Sequence, residues 1–146
     1  MSTMIRFMMG VLFLFAGVGS GCAHGSKAQA FMPLTDFQEG QGIVYVYRPK
    51  NFVGSAVSYK VHANGTAYSP LPNGRYFVYE GSGAVEFTAK TEMQASVTID
   101  VQPEQVYYVK GGVVPGIMVG NPVLQQVSTE VGEREIVRCK LAPPLK

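Results

Sequence analysis

From Gly42 onward the chain is a succession of short runs in which apolar and polar residues alternate, each closed by a turn signal. A two-residue period of this kind leaves little room for anything but a sheet protein, because alternate side chains of a strand point to opposite faces. Val57, Tyr59, Val61 and Ala63 alternate with Ser58, Lys60 and His62. Val85, Phe87 and Ala89 alternate with Glu86, Thr88 and Lys90, and Ala95, Val97, Ile99 and Val101 with Ser96, Thr98 and Asp100. Ile43-Val44-Tyr45-Val46-Tyr47-Arg48 is apolar on both faces, the pattern of a central strand, and Pro49 ends it. Asn64-Gly65 is a two-residue hairpin turn whose positive φ angles suit those residues. Asn73-Gly74, Gly81-Ser82-Gly83 and Pro103-Glu104 mark further turns, and 75–80, 106–110 and 122–128 read as strands.

These runs predict an all-β fold, a small antiparallel β-sandwich of about seven to eight short strands, Ig-like or transthyretin-like. Ser128 or Thr129 can cap a short helix within 129–139. No amphipathic stretch of roughly 10 to 15 residues separates the strands, which argues against parallel βαβ units. The 146 residues correspond to about one domain. The sandwich is expected over 42–141, with 142–146 as a tail. Residues 23 to about 41 show no period and read as a tether.

The N-terminus has a different character. Arg6 precedes an apolar run, Phe7 to Val18, which passes into Gly19-Ser20-Gly21. Charged, then apolar, then small is the order of an export signal. The run is too short to span a bilayer, which takes about 20 residues, and it lacks the polar face of a core helix. Ser20-Gly21-Cys22 resembles the end of the lipobox of bacterial lipoproteins, although Gly19 stands where an aliphatic residue is usual. The resemblance implies a signal peptide over 1–21 and acylation of Cys22 as the lipid-attachment residue. Ala23, by the sorting habit of that family, points to the outer membrane and a periplasm-facing domain. The competing reading is cleavage after Ala28-Gln29-Ala30, releasing a soluble periplasmic or secreted protein that begins at Phe31. Both routes leave Cys139 without a disulfide partner, so it is expected as a small buried hydrophobe.

The residue set Gly42-Ile-Val-Tyr-Val-Tyr-Arg-Pro49, Val61-His-Ala-Asn-Gly65, Leu71-Pro-Asn-Gly-Arg-Tyr-Phe77 and Val106-Tyr-Tyr-Val109, in that order and spacing, resembles bacterial envelope proteins carrying domain of unknown function 2846. That resemblance covers about residues 42–130. It implies a small β-sandwich, often on a lipoprotein, and brings no assigned activity or catalytic residues.

Chemistry-bearing patterns are sparse. His62 lies on the polar side of its strand, His24 in the tether, and with Cys139 they make no metal-ligand spacing. No nucleophile motif, phosphate loop or nucleotide fingerprint occurs. Glu133 and Glu135, interleaved with Arg134 and Arg138, read as a solvated charged face. Twelve Lys and Arg stand against ten acids, and without Arg6 the balance is 11 to 10. No Lys/Arg cluster is visible along the chain, so nucleic acid is an unexpected partner. The chain is therefore expected to be no enzyme and to use no cofactor and no metal. The expected partners are a membrane, through N-terminal acyl chains, and another envelope protein. Two stretches are candidate interaction surfaces. Tyr45 and Tyr47 beside Arg48 and Lys50 would form an edge patch, if they are not simply sheet-face residues. The Gly- and Pro-broken stretch 111–122, with Val113, Val114, Ile117, Met118 and Val119, either packs over an open end of the sandwich, the more ordinary arrangement, or forms a contact surface. A carbohydrate- or peptidoglycan-binding module using exposed faces of Tyr45, Tyr47 and Tyr107 is the alternative of a different class.

Overall fold

The computed structural model describes residues 28–146. The signal-like segment and Cys22 lie outside the described residues. Nine strands and one helix follow in order: β1 Gly42–Arg48, β2 Lys60–Ala63, β3 Thr66–Pro70, β4 Arg75–Gly81, β5 Gly83–Lys90, β6 Gln94–Val101, β7 Val106–Val114, β8 Asn121–Val127, α1 Thr129–Ile136 and β9 Lys140–Leu141. They form a five-stranded sheet, β8-β7-β1-β4-β9, facing a four-stranded sheet, β3-β2-β5-β6. No described helix is long and apolar enough to cross a membrane.

Strand positions follow from the period. In β5 the odd residues Val85, Phe87 and Ala89 are buried against the opposite sheet, as are Val44 and Val46 of β1 and Val61 of β2. Val57 and Tyr59 keep the inward phase although the β2 ladder starts at Lys60. Asn64 (φ 48°) and Gly65 (φ 80°) close the β2–β3 hairpin with the positive φ pair such a turn requires.

The sandwich departs from a purely antiparallel one. β1 runs parallel to β7, pairing Ile43 with Val106 and Tyr47 with Lys110, and β9 runs parallel to β4. The chain reaches these parallel neighbours through the second sheet and through α1, so no βαβ unit is needed. The strand ending near Lys110 in the sequence reading continues to Val114, because Gly111 and Gly112 pair regularly with Leu124 and Val123. A Cβ on Gly111 would stand 2.7 Å from the Tyr59 hydroxyl, so this position needs glycine for close approach.

A third layer covers the outer face of the larger sheet. Ile43, Tyr45 and Tyr47 of β1 pack there with Tyr76, Tyr108, Ile136 and Cys139. Helix α1 lies on this face, capped by Ser128, whose hydroxyl accepts from the Val131 N–H. The rest of the cover comes from residues assigned to the tether. Gln29 accepts the Leu141 N–H at 2.7 Å, Ala30 bridges Lys140, and Phe31 stands edge-on to Tyr45 and Tyr76 at 5.2 Å each. Leu34 donates its N–H to the Tyr45 hydroxyl at 2.7 Å. From Gln29 on, the segment is therefore part of the fold, held by one aromatic anchor and a few backbone bonds that leave no periodic trace. Ala142 likewise docks on the inner core and donates to Tyr76, so the tail begins inside the domain.

Candidate functional site

β1 is buried along its whole length, and this overturns one candidate surface. Tyr45, Tyr47 and Arg48 are 1%, 0% and 2% exposed, while Lys50 alone of that group reaches solvent. An outward-pointing side chain on a central strand is exposed only if no third layer lies over it, and here one covers Tyr45 and Tyr47, while Arg48 points inward toward Tyr59. The tyrosine faces required for sugar stacking are therefore interior at Tyr45 and Tyr47. Tyr107 is half-buried against the core, and its hydroxyl accepts the Gln102 N–H at 3.1 Å.

Arg48 instead organises the chain that follows β1. One guanidinium nitrogen donates to the carbonyls of Val57 (2.7 Å) and Leu71 (3.3 Å), the other to that of Gly54 (2.6 Å). The group also stands 5.3 Å from the Tyr59 ring centroid. Burial pulls its pKa below the ordinary arginine value, and burial likewise pushes the Tyr59 hydroxyl up to about 12 against the opposing effect of Arg48. Asn73 adds a second hold on the same loop, accepting the Asn51 N–H and donating to the Asn51 carbonyl.

Above this loop, Tyr47 donates its hydroxyl hydrogen to Glu135 Oε2 at 2.8 Å and Lys110 Nζ donates to Oε1 at 2.9 Å. Glu135 is thus not part of a freely solvated charged face, unlike Glu133, which stays exposed. Helical spacing alone did not distinguish them, because it does not say which side of α1 meets the sheet. Burial acts to raise the Glu135 carboxyl, but the bonds from Lys110 and Tyr47 outweigh it and hold the group below the ordinary glutamate range. A carboxyl depressed in the folded state stabilises fully above its unfolded pKa, and that stabilisation is lost as pH falls through the folded value. Urea midpoints followed downward from about pH 5, just above the ordinary glutamate value of about 4.3, should accordingly fall less steeply for Glu135→Gln than for the wild type. Parallel acid limbs would mean that Glu135 does not couple to folding.

Pro49, Lys50, Arg134, Glu135 and Arg138 line an open groove of about 340 Å³ beside this cluster. Cys139 closes the layer beneath, its free thiol buried and donating to the Arg48 carbonyl at 3.5 Å. Burial, and secondarily the Glu135 charge, pushes that thiol up to about 11, so it is a packed hydrophobe and a poor nucleophile. His62 is half-exposed on β2 opposite Ala67 and Thr88. Among the described residues no group of three His, Cys, Asp or Glu side chains converges as metal ligands, and every buried side-chain nitrogen or oxygen has a hydrogen-bond partner.

The second candidate stretch divides. Val113 packs on the core, and Val114 extends β7 and is partly exposed. The tip of the β7–β8 hairpin does not fold over the open end of the sandwich, for Ile117 is 97% and Met118 89% exposed. The tip is nevertheless held. Glu92, in the β5–β6 turn, accepts the N–H groups of Ile117 (3.0 Å), Met118 (2.7 Å) and Val119 (3.2 Å). Thr91 donates to the Gly120 carbonyl at 2.9 Å. A carboxylate filling a concave set of backbone N–H groups is a strong local clamp. Nothing in the strand pattern singled out Glu92, because its partners lie about 25 residues away. No family model matches the chain, and comparison with curated proteins and with solved structures found no match either.

Proposed function

We propose that this is a non-catalytic, lipid-anchored protein of the bacterial cell envelope, an outer-membrane lipoprotein of the kind its resemblance to domain of unknown function 2846 implies. In this reading acylated Cys22 holds the domain to the membrane and the β-sandwich serves as a structural or protein-interaction module. One observation carries it. Gln29 and Ala30 bond to β9, so cleavage after Ala30 would strip away two residues that the fold uses, whereas processing before Cys22 keeps them. This favours the anchored chain over the soluble one beginning at Phe31. The carbohydrate-binding alternative has lost support, since two of its three tyrosines are interior.

Intact-mass analysis of the membrane-extracted protein tests the proposal. A chain beginning at Cys22 and carrying several acyl chains is the expected result, with Cys22→Ala shifting the protein out of the membrane fraction. A mature chain beginning at Phe31 without acyl mass would overturn it.

A further inference from the structure

The strand register sorts the charges of the domain between its two ends. At the end where β1 finishes, Arg75 pairs with Arg48 and Lys140 pairs with Arg75, while Lys50 follows directly. Lys90 lies at the β5–β6 turn of the same end, and Lys60 starts β2, one position before the pairing of Val61 with Ala89. Arg138 lines the groove with Lys50. At the end where β1 starts, Glu80 pairs with Ile43 and Asp100 with Ala84. Glu104 donates its N–H to the Gln41 carbonyl there, and Glu39 lies two residues before Gln41. Two side-chain carboxylates do lie at the basic end, and both are engaged: Glu92 by three backbone N–H groups, Glu135 by Lys110 and Tyr47. Glu130 pairs with Arg134 on α1, and among the described residues neither Lys50 nor Arg138 forms a salt bridge, the groove's Glu135 being taken by Lys110.

The basic end is also where the most exposed apolar side chains project. Phe52 is 92% exposed in the loop after β1, Ile117 and Met118 are exposed on the hairpin tip, and Met93 is exposed in the β5–β6 turn. The loop and the tip adjoin, because a Cβ on Gly54 would stand 2.7 Å from Val113, and one on Gly120 would stand 3.4 Å from Val57. Arg48 and Asn73 hold the one and Glu92 the other. Apolar tips that are pinned outward cannot collapse onto their own domain and lose little further freedom on insertion.

We propose that this basic end docks on the surface of an anionic lipid bilayer. Phe52, Ile117 and Met118 enter the boundary between headgroups and acyl chains, and Lys50, Arg75, Arg138 and Lys140 lie in the phosphate layer. Apolar tips and a surplus of cations at one end of the domain match that surface, and the acidic end is turned away from it by the same charge. The inference deepens the lipid-anchor reading and rests on it for the bilayer being close at hand. Six residue steps separate Cys22 from Ala28 and span at most about 20 Å, less than the seven residues of β1 and its flanking loops. An anchored domain is therefore held at high local concentration against the membrane, where weak docking suffices.

The chain contains no Trp, so one introduced residue reports its own surroundings. In the full chain carrying Cys22→Ala, Met118→Trp is expected to shift its emission to the blue on vesicles of phosphatidylglycerol and phosphatidylethanolamine. Bromine-labelled acyl chains should quench it, and phosphatidylcholine vesicles should do neither. Glu39→Trp, at the acidic end, should keep a water-exposed spectrum throughout. Lys50→Glu with Arg138→Glu should weaken vesicle binding by at least about 20-fold, given about fivefold per charge. The apolar N-terminal run is common to all these chains, so the differences between vesicle types, between the two reporter positions and between charge variants carry the test. A silent Met118→Trp on anionic vesicles, equal shifts at both ends, or an equal response to phosphatidylcholine would overturn the proposal. Self-association of copies through the basic end, seen by sedimentation without vesicles and relieved by Met118→Ser, would also overturn it. Acylation is read separately from the wild-type mass. An acylated wild type with a silent reporter rejects docking alone, whereas an unacylated wild type with a responsive reporter rejects only the anchor.

Discussion

Arg48→Met is expected to cost the domain about 3 kcal/mol, read as a lowered urea midpoint at unchanged slope. Met keeps most of the length and the apolar stem but none of the donors. The guanidinium serves three carbonyls, those of Gly54, Val57 and Leu71, at 2.6, 2.7 and 3.3 Å. Hydrogen bonds to a charged group contribute about 1.5 to 3 kcal/mol each, but the Gly54 and Val57 carbonyls can turn to water if the loop shifts, so the full sum is not lost. With about 4 °C of melting temperature per kcal/mol in a domain of this size, the fall should be about 12 °C. Arg48→Lys should recover only part of it, because a single ammonium cannot reproduce a planar fork that reaches two points of the loop after β1 and the residue after β3. A loss under about 0.5 kcal/mol, the level of an ordinary surface substitution, would show that the loop is held by its other contacts.

Gly132→Ala should destabilise the protein by about 2 kcal/mol, although alanine is the better helix former by about 1 kcal/mol. The new Cβ would overlap the ring of Tyr108. That ring is stacked on Tyr45 at 5.4 Å and belongs to the layer shared with Ile136 and Cys139, so it cannot swing aside without unpacking its neighbours. The helix must lift off the sheet instead, which also strains the Tyr47–Glu135 contact. Near-ultraviolet circular dichroism from the stacked tyrosines should weaken together with the melting temperature. A variant as stable as the wild type, with an unchanged tyrosine signal, would mean that α1 is only loosely seated.

The two substitutions touch the part of the molecule least legible from its residues. Strand positions were readable because burial within a sheet is a local, alternating property: Val85, Phe87 and Ala89 face inward as their spacing requires. The β2–β3 turn was readable because Asn-Gly meets a dihedral requirement that few pairs meet. The capped C-terminal helix followed from Ser128 in the same way. Reading β1 as apolar on both faces was correct, yet Tyr45, Tyr47 and Arg48 could still be imagined at a surface. What buries the two tyrosines is Phe31, Ile136 and Cys139, far away in sequence and carrying no period that announces their destination, while Arg48 points inward and is covered by Tyr59 and the loop after β1. Gln29 to Leu34 looked like tether for that reason, and Glu135 looked like solvated helix surface.

The sequence by itself determined the class of fold, the turns and the central strand, because each rests on interactions between residues close along the chain. Tertiary structure alone decided the third layer, the clamp of Glu92 on the hairpin tip and the separation of charge between the two ends. Along the chain Lys50, Arg75, Lys90, Arg138 and Lys140 are scattered singly and form no cluster. Strand register and connection, not spacing, carry them to one end, because every second strand reverses direction and residues tens of positions apart come to share a level.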